Sequence, residues 1–262
     1  MAEVITTGTE LLMGKVVNTN ATWIARKLSE LGIVVRRITS VPDDLDEVSS
    51  CIREALRRGT DLLIITGGLG PSKDDLTAQA LAEALGQRYV LNEEALNMVA
   101  NKLKERGLGL TANRIKMARM PSKATPIPNP VGVAPGILVR EERTLIIALP
   151  GVPSEMKAIF ECYVLPELRR LTAESLVEGS LVIRGVPESD VASLIESLEV
   201  NKDCRIYIKT RVFKGGIEIY MSSFRQECYD DIREALMRVK EAIIKIGGII
   251  VNDITMRRGP RR

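Results

Sequence analysis

The sequence contains no histidine. That absence excludes every histidine-dependent catalytic triad and every histidine-ligated metal centre. Acid–base work must fall to Asp, Glu, Lys, Tyr or Cys, and a bound metal is expected to meet oxygen ligands. Cysteine is scarce too: Cys51, Cys162, Cys204 and Cys228 are scattered, with no Cys-x-x-Cys pair. This spacing argues against a zinc site or a disulfide framework and for lone core thiols. Aromatic residues make up only 3% of the chain; beside many Lys, Arg and Glu this is a weak thermophile signature. No apolar run reaches the roughly 18 residues of a membrane span. The N-terminus lacks a basic segment followed by an apolar one, so the expected location is the cytoplasm. The net charge of +3 is too small to point to nucleic acid.

What is present is ample core material. The 262 residues are 45% hydrophobic and 27% charged, ordinary for a globular protein of one large or two smaller domains. The first third alternates strand and helix. Glu3 to Thr6, Ile33 to Ser40 and Leu62 to Ile65 read as strands; Ala21 to Leu31 and the spacing of Val48, Cys51, Ile52, Ala55 and Leu56 read as helices. Such alternation predicts an α/β fold, a mostly parallel sheet with helices on both faces and right-handed crossovers. Met120 to Pro135 carries five prolines and reads as an irregular connection. Ile137 to Val139 and Leu145 to Leu149 flank a turn at Arg140 to Arg143 and read as a hairpin. The following helix runs toward Leu171, with Pro166 interrupting it. These elements form a first domain over residues 1–171. Residues 172–255 follow as a small α+β domain of order β-α-β-β-α-β, ferredoxin-like or split-βαβ, and 256–262 as a frayed basic tail.

The chain is organised around Thr66-Gly67-Gly68-Leu69-Gly70-Pro71-Ser72-Lys73-Asp74-Asp75-Leu76-Thr77. A glycine-rich turn between a strand and a helix exposes backbone N–H groups that suit a phosphate. The adjacent carboxylates Asp74 and Asp75 add ligands for a hard cation, or a general base. Ligands of an open parallel sheet sit outside the carboxyl ends of its strands. Gly8 to Asn20, Val41 to Asp44, Gly67 to Asp75 and Pro150 to Glu155 all lie at strand ends. Asn129 to Gly136 joins them if Ile137 to Val139 runs antiparallel. Each loop also has a plain reading: glycines for a tight turn, Asp74 and Asp75 as a helix cap and its neighbour, Asn18 and Asn20 as caps, Asp43 as a turn residue, Glu10 as a solvated one. Their convergence favours a phosphorylated ligand with a divalent cation.

Gly8-Thr9-Glu10-Leu11-Leu12 with Gly14, then Asn18-Thr19-Asn20, resembles the start of the CinA family. The central glycine stretch, Asn129-Pro130 with Gly132, Ala134-Pro135-Gly136, and Leu149-Pro150-Gly151-Val152-Pro153-Ser154-Glu155-Met156 complete the resemblance over residues 1 to about 171. The remainder resembles, by pattern alone, the KH-like domain that follows in that family. The resemblance implies the molybdopterin-binding fold shared with MogA, MoaB and MoeA. It gives Asp75 the place of an aspartate used in pterin adenylation, and Asp43 that of an acidic residue in the preceding turn. It also implies a metal-dependent ADP-ribose pyrophosphatase, and a homo-oligomer, dimer or trimer. The family's C-terminal deamidase domain has no counterpart in this sequence.

The expected site therefore has Asp75 and Asp43 as catalytic residues. Glu10, Asp43, Asp74 and Asp75 are the expected ligands of a divalent cation, Mg²⁺ or a transition ion such as Co²⁺. Substrate and phosphate binding is expected from Gly8, Thr9, Asn18, Asn20, Thr66, Gly67, Gly68, Gly70, Lys73, Asn129, Gly136, Pro150, Gly151 and Ser154. The rival readings are a molybdopterin-binding or pterin-adenylating protein and a non-catalytic nucleotide-binding module. Lys214-Gly215-Gly216 is a hairpin turn rather than a G-x-x-G loop with basic flanks, so no nucleic-acid partner is expected from it; no membrane partner is expected either.

Overall fold

In the computed structural model, residues 1–171, 177–204, 206–223 and 225–258 are described. They divide into two compact units, Met1–Lys27 with Val34–Leu171, and Leu28–Ile33 with Thr172–Arg262. In chain order the first unit holds β1 (Ala2–Thr7), α1 (Thr9–Leu12), α2 (Thr19–Glu30, up to Lys27), β2 (Val35–Val41), α3 (Leu45–Arg57), β3 (Leu62–Thr66) and α4 (Thr77–Ala84). There follow β4 (Tyr89–Leu91), α5 (Glu93–Glu105), α6 (Ala112–Lys116), β5 (Arg119–Pro121), β6 (Thr125–Ile127), β7 (Gly136–Glu141), β8 (Thr144–Leu149), α7 (Pro153–Ile159) and α8 (Leu165–Leu171).

The main sheet has the order β2-β1-β3-β8-β7-β6. β2, β1, β3 and β8 are parallel, and β7 and β6 complete the sheet antiparallel. β1, β3 and β8 are buried along their whole length, as continuous apolar runs covered on both faces should be. Ile5, Leu63, Ile65, Ile146 and Ala148 pack with Val48, Ile52 and Ala55 of α3, Leu81 of α4 and Val99 of α5. Their neighbours Val4, Ile64 and Ile147 are equally buried, so the opposite face is covered too. Trp23 of α2 meets Phe160 edge-to-face at 5.2 Å between ring centroids.

Two expectations are corrected here. The proline-rich connection is not irregular throughout. β5 pairs with β4, and β6 pairs with β7 as the last strand of the main sheet. Pro121 and Pro126 are tolerated because both strands are edges, where a missing N–H breaks no ladder. Nor does Pro166 interrupt the helix after β8. A π-turn over Phe160–Val164 joins α7 to α8 without a break and ends just before Pro166, so the local change of hydrogen-bond pattern accommodates the proline inside a continuous helix.

The second unit holds β9 (Val177–Arg184), α9 (Glu188–Glu196), β10 (Tyr207–Phe213), β11 (Gly216–Ser223), α10 (Tyr229–Lys245) and β12 (Ile249–Arg258). Its sheet runs β10-β11-β9-β12, antiparallel throughout, the ferredoxin-like order. Leu181, Ile183, Ile219 and Met221 pack under Ile232, Leu236 and Val239 of α10 and Val191 of α9. The expected basic tail begins too early: Met256, Arg257 and Arg258 pair with Gly179, Glu178 and Val177. Residues 259–262 of that tail lie outside the described residues. The four cysteines are not all free thiols either. Cys204, before β10, and Cys228, before α10, form a disulfide with 5.7 Å between Cα atoms. Spacing rules search for close pairs; this one is 24 residues apart and is assembled by the fold. Cys51 is free and buried, Cys162 free and exposed. Among the described residues, no helix is long and apolar enough to cross a membrane.

Candidate functional site

The parallel strands bring their loops to one edge of the main sheet, around a cavity of about 540 Å³. Gly8, Glu10, Asp43, Gly67, Gly68, Gly70, Asp74, Asp75, Pro150 and Gly151 all line it. The antiparallel course of β7 returns Val133 and Ala134 to the same cavity.

The glycine turn is backbone-built. Gly67 has φ 108° and Gly68 φ 66°, values that side chains resist. A Cβ on Gly67 would lie 2.5 Å from the Thr7 carbonyl oxygen, and one on Gly68 would lie 2.3 Å from Thr77 Oγ1. Gly67 donates its N–H to Leu149 (3.0 Å), and Thr77 Oγ1 donates to the Gly67 carbonyl (2.8 Å). The N–H groups of Gly68, Leu69 and Gly70 have no acceptor among the described residues. They are the free donors that an anion cradle needs.

The carboxylates follow. Asp75 accepts the Ser72 N–H at 2.7 Å, which closes the loop over Gly70. Asp43 accepts from the Thr9 N–H (2.9 Å) and Thr9 Oγ1 (3.1 Å), tying the β1–α1 loop to the β2–α3 loop. Neither Asp74 nor Asp75 caps α4, whose N-cap is Leu76 with no side-chain bond, so the plain capping reading fails. Asp44 does cap α3, accepting from the Asp46 and Glu47 N–H groups. Glu155 also faces the cavity. Asn129 holds it, donating from Nδ2 to Glu155 Oε2 at 2.8 Å. No cation lies within salt-bridge distance of Glu10, Asp43, Asp74, Asp75 or Glu155 among the described residues.

Several of the expected ligand residues make contacts within the scaffold. Asn129 uses its whole amide on Ala134, Glu155, Val131 and Gly132. Gly136 lies inside β7, packed against Ala148 and Ile127. Asn18 accepts from the Ala21 N–H and braces Thr6 and Ser40. Thr66 is buried and donates to the Pro150 carbonyl. Thr9, Lys73 and Ser154 lie outside the cavity lining. Asn20 donates to Thr66 Oγ1 and the Gly151 carbonyl, while its buried Oδ1 has no partner. Asn20 thus spends its Nδ2 hydrogens on the scaffold. It lines, with Asn18 and Thr66, a smaller cavity of about 130 Å³.

Other lining residues carried no motif: Leu103, Arg106 and Leu108 from α5 and its end, and Arg114 and Met117 around α6. Arg106 donates to the Val131 carbonyl and Arg114 to the Gly109 carbonyl. Lys116 fastens the glycine loop, donating to the Ser72 and Lys73 carbonyls. Only the basic end of α5 hinted at this wall in the sequence.

Oxygen donors without histidine or thiol suit a hard divalent cation. Yet among the described residues no three of these carboxylates bring oxygens within 4.8 Å of one another; the three candidate donors that do lie so close are the disulfide sulfurs of Cys204 and Cys228 with a carboxylate oxygen of Asp231. The donor set therefore fits an ion held by one or two carboxylates, with water and ligand phosphates filling the other positions, as is usual for Mg²⁺.

The family model described as "Probable molybdopterin binding domain" matches residues 3–170. The chain belongs to this family. Within the family it is CinA-like: the crystal structure of the protein CinA of Thermoplasma acidophilum, titled as of unknown function, is 43% identical. That match has a TM-score of 0.60 and covers 64% of this chain and 96% of that one. A protein of Pyrobaculum aerophilum is 50% identical over 211 residues, 80% of this chain and 79% of its own. One from Sulfolobus acidocaldarius is 41% identical over 255 residues, 94% of this chain and 96% of its own.

Proposed function

We propose that the large unit hydrolyses the pyrophosphate of an ADP-ribose-like dinucleotide with a divalent cation, Mg²⁺ or a transition ion such as Co²⁺. One observation carries the reading. Gly68, Leu69 and Gly70, whose N–H groups have no acceptor among the described residues, border a cavity lined by Glu10, Asp43, Asp74, Asp75 and Glu155 against only Arg106 and Arg114. Donors for a phosphate thus sit in a field that repels a bare phosphate. A phosphate accompanied by a divalent cation satisfies both.

In this reading the turn holds one phosphate through backbone N–H groups. Asp43 and Asp74 would hold the cation, and Asp75, oriented by the Ser72 N–H, accepts the proton of the attacking water. The water oxygen bonds to one phosphorus, the bridging P–O bond breaks, and a nucleoside monophosphate and a sugar phosphate leave. The cation, when bound, would neutralise charge gathering on the phosphoryl oxygens. Leu103, Leu108, Met117 and Val133 form an apolar wall that suits a planar ring.

The test is incubation with ADP-ribose and Mg²⁺, Mn²⁺ or Co²⁺, following release of AMP and ribose 5-phosphate, for wild type and Asp75→Asn. Turnover by wild type with any of these ions, abolished in the variant, supports the reading. No turnover with any ion overturns it. The family description and the same apolar wall favour molybdopterin binding or adenylation as the second reading, tested by fluorescence of co-purified pterin. A nucleotide retained uncleaved would mark a binding module.

A further inference from the structure

We propose that the open face of the four-stranded sheet in the second unit binds single-stranded nucleic acid, stacking bases on aromatic rings and pairing phosphates with flanking cations. The argument begins with the pleat. Along β11, Ile217, Ile219 and Met221 join the core under α9 and α10, so Glu218, Tyr220 and Ser222 point the other way. On β10, Ile208 packs on that core and Thr210 Oγ1 donates to Glu188 of α9. Tyr207, Lys209, Arg211 and Phe213 therefore share the open face, and all four are exposed. Register extends the face across the sheet. Tyr220 lies opposite Lys209 on one side and Ser180 on the other, and Ser180 lies opposite Thr255. Tyr207 lies opposite Ser222, and Arg257 opposite Glu178.

The composition of this face is out of proportion to the chain. The protein has one Trp, five Tyr and three Phe in all, and Tyr207, Phe213 and Tyr220 stand here together. Tyr207 and Phe213 are 55% and 46% exposed. Register makes Tyr207 and Tyr220 diagonal neighbours, about 7–8 Å apart at their backbones. Tyr220 is half-buried on this face, between Lys209 and Ser180. Its hydroxyl is anchored to Glu178 Oε1 at 2.5 Å. Lys209, Arg211, Arg184 and Arg257 outnumber Glu178 and Glu218 on this face. Edge-strand lysines and arginines by themselves discourage strand pairing, but that purpose leaves two exposed rings on the same edge strand unexplained. Rings flanking cations on an open four-stranded sheet form a platform for unpaired bases and their phosphates. The absence of a G-x-x-G loop concerns a hairpin and is silent about this face.

The test is fluorescence anisotropy of the full chain with labelled single-stranded RNA and DNA oligonucleotides of about 15 nucleotides, against a duplex of the same sequence, over a salt series. Saturable binding that prefers single strands is expected. Tyr207→Ala with Phe213→Ala should weaken it by at least about tenfold. Lys209→Ala with Arg211→Ala should reduce the slope of log affinity against log salt by about 1.4. Circular dichroism verifies that these surface variants remain folded. The RNA and DNA arms tell the two strand types apart. The proposal is overturned if wild type binds no single strand at about 50 mM salt, binds duplex equally well, or loses nothing in either variant. It is also overturned if light scattering shows a dimer that the Tyr207→Ala, Phe213→Ala variant splits while no oligonucleotide binds.

Discussion

The two edges of the main sheet treat their acids in opposite ways. At the N-terminal edge, Glu3 is buried yet fully partnered: Arg58 donates from Nε at 2.9 Å and Nη2 at 2.7 Å, and Thr60 Oγ1 donates at 2.8 Å. Asp61 nearby meets the N-terminal ammonium at 2.7 Å and Arg143 at 3.4 Å. At the C-terminal edge, Glu10, Asp43, Asp74, Asp75 and Glu155 line one cavity, and among the described residues no cation lies in salt-bridge reach of them. The first edge is finished by its own residues. The second is left with excess negative charge and, among the described residues, with N–H donors that have no acceptor.

The contrast breaks most sharply at Asp75. Asp75→Asn keeps the side chain's size and its acceptor for the Ser72 N–H, and removes the charge. Pyrophosphate hydrolysis should fall by about 100-fold or more, read as product formed under saturating ADP-ribose, while the melting temperature barely moves. At the opposite edge the outcome should invert. Glu3→Gln removes half of a bidentate pair and should lower stability by about 3 kcal/mol in urea unfolding, with turnover per folded molecule unchanged.

The same pair carries a pH signature. Burial pushes the Glu3 carboxyl upward, but hydrogen bonds from Arg58 and Thr60 outweigh it and hold the group below its ordinary 4.5. A carboxyl depressed on folding contributes stability that is complete above the unfolded value and lost as pH falls through the folded one. Wild type should therefore lose its advantage over Glu3→Gln as pH drops below about 4.5, measured by urea midpoints across that range.

Cation addition sharpens the other side. Mg²⁺ or Mn²⁺ at about 100 times its dissociation constant should stabilise the wild type by about 2.7 kcal/mol. Thermal shift should show the effect shrinking in Asp43→Asn and Asp74→Asn and persisting in Glu3→Gln. The smallest effect is expected at Lys116, which fastens the glycine loop from outside the cavity. Lys116→Ala removes exposed hydrogen bonds worth about 1 kcal/mol, seen as a modest rise in KM with kcat nearly intact.

Much of this was legible in the sequence because it depends on local chemistry. Continuous apolar runs marked β1, β3 and β8, glycines marked the cradle, and the hairpin logic correctly brought the loop after Asn129 to the ligand edge. Motif membership did not separate ligand from scaffold. Asn129, Asn20 and Gly136 sit in the same signature as Asp75, yet their atoms are consumed or blocked by neighbours fixed only in three dimensions. The wall of Leu103, Arg106, Leu108, Arg114 and Met117 was barely legible for the complementary reason: beyond the basic end of α5, its members share no spacing and meet only around α5 and α6. The Cys204–Cys228 disulfide escaped likewise, its halves joined by sheet topology.

Gly67 and Gly151 bring the two loops under the cavity so close that a Cβ on Gly151 would sit 3.3 Å from the Gly67 Cα. A floor made of main chain has no side chains to vary, so substitution has almost nothing there with which to retune it. Divergence in what such proteins recognise must be written on the α5–α6 wall, and relatives that share the glycine signature but differ at Arg106, Leu108 and Arg114 are expected to part company in substrate while keeping one chemistry.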